Sequence, residues 1–137
     1  MTLLVDTCVW SLALRRDSPA DVPEVRELAA ALAGPELVAT TGLILQEVLQ
    51  GAVPARVRVQ IAGRFAALSD ISPERADHVT AADLRGTCRR AGVQLGTVDA
   101  LIAALCVRRG LTLLTTDHDF RRAAHHVALR VWSDRTG

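Results

Sequence analysis

The chain has 137 residues, half of them hydrophobic and 23% charged, a composition that folds around a sizeable core and is not that of a disordered chain. All 16 basic residues are arginine, which excludes a Walker P-loop and disfavours a receiver domain or a haloacid-dehalogenase-type phosphatase, since each uses a lysine. The net charge is only +1 and aromatics are 3%, so an RNA-binding surface of stacked aromatics, as in an RRM or an OB-fold, is not expected.

In chain order, Leu3-Leu4-Val5 is a short apolar run stopped by Asp6 and reads as a buried strand. Helices follow over 7–15 and 22–33, separated by Asp17-Ser18-Pro19 and closed by Gly34-Pro35. Leu37-Val38-Ala39 reads as a second strand. Thr41 then caps a helix to Gln50, ended by Gly51. Residues 55–67 form another helix. Ser72-Pro73-Glu74 starts one that runs to Arg90 and stops at Gly92. Thr97 caps a helix to Arg109 with Val98, Leu101, Ile102 and Leu105 at amphipathic spacing, and Gly110 ends it. Leu111–Thr115 is the clearest strand, Asp117 to Ala124 a short helix, and Ala128–Val131 the last strand. Short strands that are apolar on both faces and alternate with helices predict an α/β fold: one domain over 1–137, with a central parallel sheet flanked by helices. Ligands of such sheets bind beyond the carboxyl ends of the strands.

Cys8, Cys88 and Cys106 form no CxxC pair and read as free thiols, and the Cys and His spacings match no zinc site. The N-terminal apolar run meets Asp6 too early for a signal peptide, and no stretch approaches the roughly 18 apolar residues of a membrane span. A soluble, cytoplasmic protein without membrane contact is the expectation.

Asp6 and Asp117 each follow a predicted strand, and Asp119 accompanies the second. Each could simply cap the helix that follows it. Two acids at strand ends of one small sheet, however, converge on one edge. Glu47, preceded by Leu43 and Ile44, lies on or beside the apolar face of its helix, where an unpartnered carboxylate is costly. Asp99 is the only charge between Arg90 and Arg108. Four carboxylates in apolar surroundings repel one another, and a hard divalent cation relieves that repulsion. Neutralising them leaves the rest of the chain net positive, suited to a phosphate-bearing ligand. Arg85, Arg89 and Arg90 at helical spacing and the pairs Arg108-Arg109 and Arg121-Arg122 are candidates for such contacts.

Four segments together resemble the PIN-domain ribonucleases, and among them the VapC toxins of toxin–antitoxin pairs. They are Leu4-Val5-Asp6-Thr7-Cys8-Val9-Trp10, Leu45-Gln46-Glu47-Val48-Leu49-Gln50-Gly51, Val98-Asp99-Ala100-Leu101-Ile102-Ala103-Ala104 and Leu113-Leu114-Thr115-Thr116-Asp117-His118-Asp119-Phe120. Residues 52–96 match only as helices. The resemblance implies a PIN-like domain in which Asp6, Glu47, Asp99 and Asp117 are the catalytic acids. They would hold one or two Mg²⁺ or Mn²⁺ ions, Glu47 directly or through water, with Asp119 as a further metal-side acid. Thr115 and Thr7 would be supporting hydroxyls, and Cys8 stands where Ser or Ala is more usual. The implied activity is hydrolysis of RNA phosphodiesters by a metal-activated water. For such a substrate Arg85, Arg89, Arg108 and Arg121, singled out by their spacing and pairing, are the candidates for contacts along the RNA. The implied partners are a VapB-type antitoxin covering the site and a second copy of the chain in a homodimer. One rival reading is a non-catalytic RNA-binding or scaffold domain that keeps the fold, which an incomplete acid set would favour. Another is a metal-dependent phosphatase, disfavoured by the absence of DxDxT and of lysine, or a DNA nuclease on a similar sheet, which the residues alone do not separate from an RNA nuclease.

Overall fold

The computed structural model describes residues 1–15, 17–51 and 53–134. The apolar runs of the sequence become a parallel sheet. Its strands are β1 (Thr2–Val5), β2 (Leu37–Thr40), β3 (Ser69–Asp70), β4 (Thr112–Leu114) and β5 (Arg130–Val131), in the spatial order β3-β2-β1-β4-β5. Leu4 pairs with Ala39 on one side and Leu113 on the other, so β1 is central. Leu3, Leu4, Val5, Leu113 and Leu114 are wholly buried, as strands covered on both faces must be.

Among the described residues seven helices flank this sheet: α1 (Thr7–Ala13), α2 (Pro23–Ala33), α3 (Gly42–Gln50), α4 (Ala55–Ala66), α5 (Arg75–Arg90), α6 (Thr97–Arg109) and α7 (His118–Ala123). α1 docks on α4 through Trp10 and Phe65, whose ring centroids lie 4.7 Å apart. Residues 100–106 of α6 are all buried, so this helix is apolar all round and not the amphipathic element its spacing suggests; Val98, counted in that stripe, is 38% exposed.

Three details depart from expectation. β3 is two exposed polar residues that pair with Ala39 and Thr40 through backbone alone, so no side-chain pattern announces it. α5 starts at Arg75, not at the Ser72-Pro73 signal, because Glu74 is its cap and donates its N–H to the Asp77 carboxylate at 2.6 Å. Neither Thr41 nor Thr97 caps through its hydroxyl: Thr41 precedes α3 without a side-chain bond to it, and Thr97 is already inside α6, whose cap residue is Gly96.

α6 closes on Gly110 in the left-handed conformation, φ 63°. A Cβ there would meet the Arg130 guanidinium at 3.6 Å, an ordinary contact, so the cost of a side chain is backbone strain. Gly110→Ala is expected to cost about 1 kcal/mol, or about 3 °C in melting temperature, read from a thermal melt.

Candidate metal centre

β1 and β4 end side by side, and the residues just beyond them build the site. The Asp6 N–H still donates to the Leu114 carbonyl at 2.9 Å, which locks Asp6 to the strand edge. Its side chain then turns into the cap of α1, and Oδ1 accepts from the Thr7 N–H at 2.9 Å. Oδ2 accepts from the Thr115 hydroxyl at 2.8 Å and from the Cys8 thiol at 3.4 Å. Asp6 is 8% exposed, and these donors are what makes a carboxylate tolerable there.

The wholly buried Thr115 ties two acids together. Besides donating to Asp6, its hydroxyl accepts the Asp117 N–H at 3.0 Å. Asp117 caps α7, accepting from the Asp119 N–H at 2.9 Å. Thr7, the first residue of α1, donates its hydroxyl to Glu47 Oε1 at 3.0 Å and so brings α3 to the site. Glu47 itself is exposed; Ile44 and Val48 form the buried face of α3, so its carboxylate lies at the surface and not in the core.

Asp99 occupies the first turn of α6 and is half-buried. Burial, joined by the charges of Asp6, Asp117, Glu47 and Asp119, pushes its carboxyl up to about 6. The structure therefore brings all five sequence-singled acids into one electrostatic neighbourhood. Among the described residues no three acid, imidazole or thiol side chains close into a ready-made cage. The cluster is open and built of carboxylate oxygens. Such a donor set suits Mg²⁺ or Mn²⁺, which take hard oxygens, Mg²⁺ keeping several waters and needing only one or two carboxylates, and not the closed N/S set of a structural zinc.

The arginines divide. Arg85 and Arg89 line a cleft of about 760 Å³ between α5 and the start of α6, walled by Leu43, Ala81, Val98 and Leu101. Arg85 gives its Nε–H to the Leu95 carbonyl at 2.8 Å, and Arg89 is exposed. Arg108, expected along an RNA, is instead joined to the buried Asp77 at 2.6 Å, as is Arg109. Arg121, expected there too, holds Glu24 and the Thr115 carbonyl, each at 3.3 Å. Arg122 pairs with Asp119 at 3.2 Å. Of the histidines, His118 is exposed at the start of α7. The role of Glu24 was not visible in the sequence, because its partner Arg121 is 97 residues away on another helix; the contacts of Cys8 with Asp6 and of Arg122 with Asp119 are local, but nothing in the pattern of residues marks them. Cys88 and Cys106 are buried free thiols, and burial together with the charge of Asp6 pushes Cys106 up to about 12.

The PIN domain model matches residues 3–126, and the chain belongs to the PIN domain family. Its place within that family is with the VapC proteins. It is 30% identical over 135 residues to ribonuclease VapC11 of Mycobacterium tuberculosis, covering 97% of this chain and 99% of the relative. Its fold is similar to that of VapBC2 from Rickettsia felis, solved with a DNA fragment of the promoter: TM-score 0.76, 19% identity, 96% of this chain and 98% of the other. It is also similar to M. tuberculosis VapC20, described as a sarcin-ricin loop cleaving toxin: TM-score 0.70, 22% identity, 93% and 98% covered.

Proposed function

We propose that the chain is a Mg²⁺- or Mn²⁺-dependent endoribonuclease acting as the toxin of a VapBC-type pair in the cytoplasm. The observation that carries this is the convergence of Asp6, Glu47, Asp117 and Asp119 on the half-buried Asp99, whose carboxyl they help to raise. A like-charge cluster of this kind is retained where a cation will neutralise it. The names of the VapC relatives support RNA as the substrate.

Asp6, Asp99 and Asp117 would hold one or two ions, with Glu47 directly or through water and Asp119 at the margin. When bound, the metal supplies a water of lowered pKa and positive charge for the phosphate oxygens. The chain's own work is orientation. Thr115 fixes one oxygen of Asp6 and the backbone entry to Asp117, while Thr7 aims Glu47. Among the described residues no hydrogen bond pairs a Ser or Cys with a His, so the nucleophile would be water; by resemblance to other metal nucleases the products would carry 5′-phosphate and 3′-hydroxyl ends. Arg85 and Arg89 are the arginines placed for RNA phosphates, since Arg108 is spent on Asp77.

A VapB-type antitoxin is the partner that this reading supplies, seated over the acids; the VapBC complex of R. felis supports it. A second copy of the chain, in a homodimer, is the further partner this reading supplies. No helix of the described residues is long and apolar enough to cross a membrane.

The test is incubation of antitoxin-free protein with a panel of structured RNAs, tRNAs included, in Mg²⁺ or Mn²⁺ and in EDTA. Discrete cuts that EDTA abolishes are the expected result. No cleavage together with no divalent-ion binding in calorimetry would return the acids to a structural role and favour the RNA-binding or scaffold reading.

A further inference from the structure

Thr115 sits one residue past the end of β4, and β5 pairs only with Thr112 and Leu113. The Thr115 carbonyl therefore lies beyond the ladder and needs a donor from elsewhere. Arg121 supplies it: Nη2 lies 3.3 Å from that carbonyl and 3.3 Å from Glu24 Oε2. The pair is well enclosed, the Glu24 side chain being 13% exposed and that of Arg121 33%. Glu24 belongs to the first turn of α2, so one guanidinium ties α2, α7 and the end of β4 together.

We propose that Arg121 is a positioning residue of the acidic site, aimed by Glu24, and not a member of the RNA track. The chain of contacts runs from Glu24 through Arg121 to the Thr115 backbone, and from the Thr115 hydroxyl to Asp6 and to the Asp117 N–H. A shift of Thr115 therefore moves two of the acids at once. An arginine that contacts phosphates works through its charge and is best left free. This one is held by a mostly buried carboxylate and spends a donor on the site's own backbone.

The two roles predict opposite signs for one substitution. If Arg121 grips RNA, Glu24→Gln frees it and lowers KM. If Arg121 positions Thr115, Glu24→Gln slackens the tie and lowers kcat, and Arg121→Gln does the same.

The experiment, which rests on the nuclease reading in its kinetic arm only, measures cleavage of total tRNA by the full chain, its Glu24→Gln and Arg121→Gln variants and the double variant. Amide hydrogen exchange over residues 114–119 is followed in parallel. The expected result is a kcat lower by about tenfold in each single variant, with KM and its salt dependence unchanged. The double variant is expected to be no worse than Arg121→Gln, and exchange over 114–119 to be faster in all three. A raised KM with kcat kept in Arg121→Gln, a lowered KM in Glu24→Gln, or exchange identical to the parent would overturn the proposal. Should the parent cut no tRNA, the nuclease reading is what fails, and the exchange data still decide the role of Arg121. Should Arg121→Gln not fold, exchange in Glu24→Gln decides it.

Discussion

Asp99→Asn is expected to lower RNA cleavage by about 10²–10³-fold while raising the melting temperature of the metal-free protein at pH 7. The two effects have one cause. The Asp99 carboxyl is pushed up to about 6 by burial and by the charges of Asp6, Asp117, Glu47 and Asp119, so at neutral pH it is ionised against the preference of its surroundings. A carboxyl raised above its unfolded value of about 3.9 contributes stability below that pH and loses it as pH rises through the folded value. Metal-free protein should accordingly lose part of its stability between about pH 4 and pH 6, and the Asn variant should not. On the proposed reading, Mg²⁺ or Mn²⁺ would reverse the sign of the problem by turning repelling acids into ligands. The ions should raise the melting temperature of the parent at pH 7, do little at pH 4, and act weakly on the variant. Thermal melts across pH with and without the ion, beside the cleavage assay, check all of this. Full cleavage by Asp99→Asn, or a variant that melts below the parent without metal, would sink the assignment of Asp99.

What could be read in advance follows from how local each feature is. Asp6 and Asp117 were legible because each ends an apolar run and opens a helix, and a parallel sheet puts its ligands at that edge. Asp99 stood out as a lone charge in an apolar segment. Glu47 is marked by its place on or beside the apolar face of α3; in the fold it borders the buried Ile44 and Val48 while its own side chain is exposed and is brought to the site by the Thr7 hydroxyl. The contact joins residues 40 apart, which no periodicity reveals. The same holds for Glu24 and Arg121, and for β3, a strand made only by backbone pairing at the sheet edge. Local pattern thus marks where acids leave the sheet. Which hydroxyls and guanidinium groups then steer them is decided by packing between elements.

Asp77 shows the same limit with a larger energy at stake. By sequence it is an ordinary acid in the first turn of a helix. In the fold it is wholly buried and receives Arg108 Nη1 at 2.6 Å, Arg109 Nη1 at 2.6 Å, Arg109 Nη2 at 3.0 Å and the Glu74 N–H at 2.6 Å. It fastens the start of α5 to the end of α6, the helix that carries Asp99. Asp77→Asn leaves two guanidinium groups beside each other without the carboxylate both of them bind, with Glu74 still acting on Arg109 through its charge. Both are a quarter to a third exposed and can turn toward water, so the cost falls at the low end of that for a broken buried pair, about 3 kcal/mol, or about 10 °C in melting temperature. The guanidinium of Arg109, with that of Arg108 and the Glu74 N–H, holds the Asp77 carboxyl well below the usual carboxylate range despite its burial. Its contribution is therefore present above the unfolded value of about 3.9 and lost as pH falls further, so parent and variant should converge in strong acid. The same geometry gives Arg108 a role in holding the fold that experiment can tell from a phosphate contact. Arg108→Ala should lower the melting temperature with little change in the salt dependence of RNA binding, whereas Arg89→Ala should weaken RNA binding and leave the melting temperature alone. Equal melting temperatures for the parent and Asp77→Asn at pH 7 would show that the buried carboxylate is not the fastening between α5 and α6.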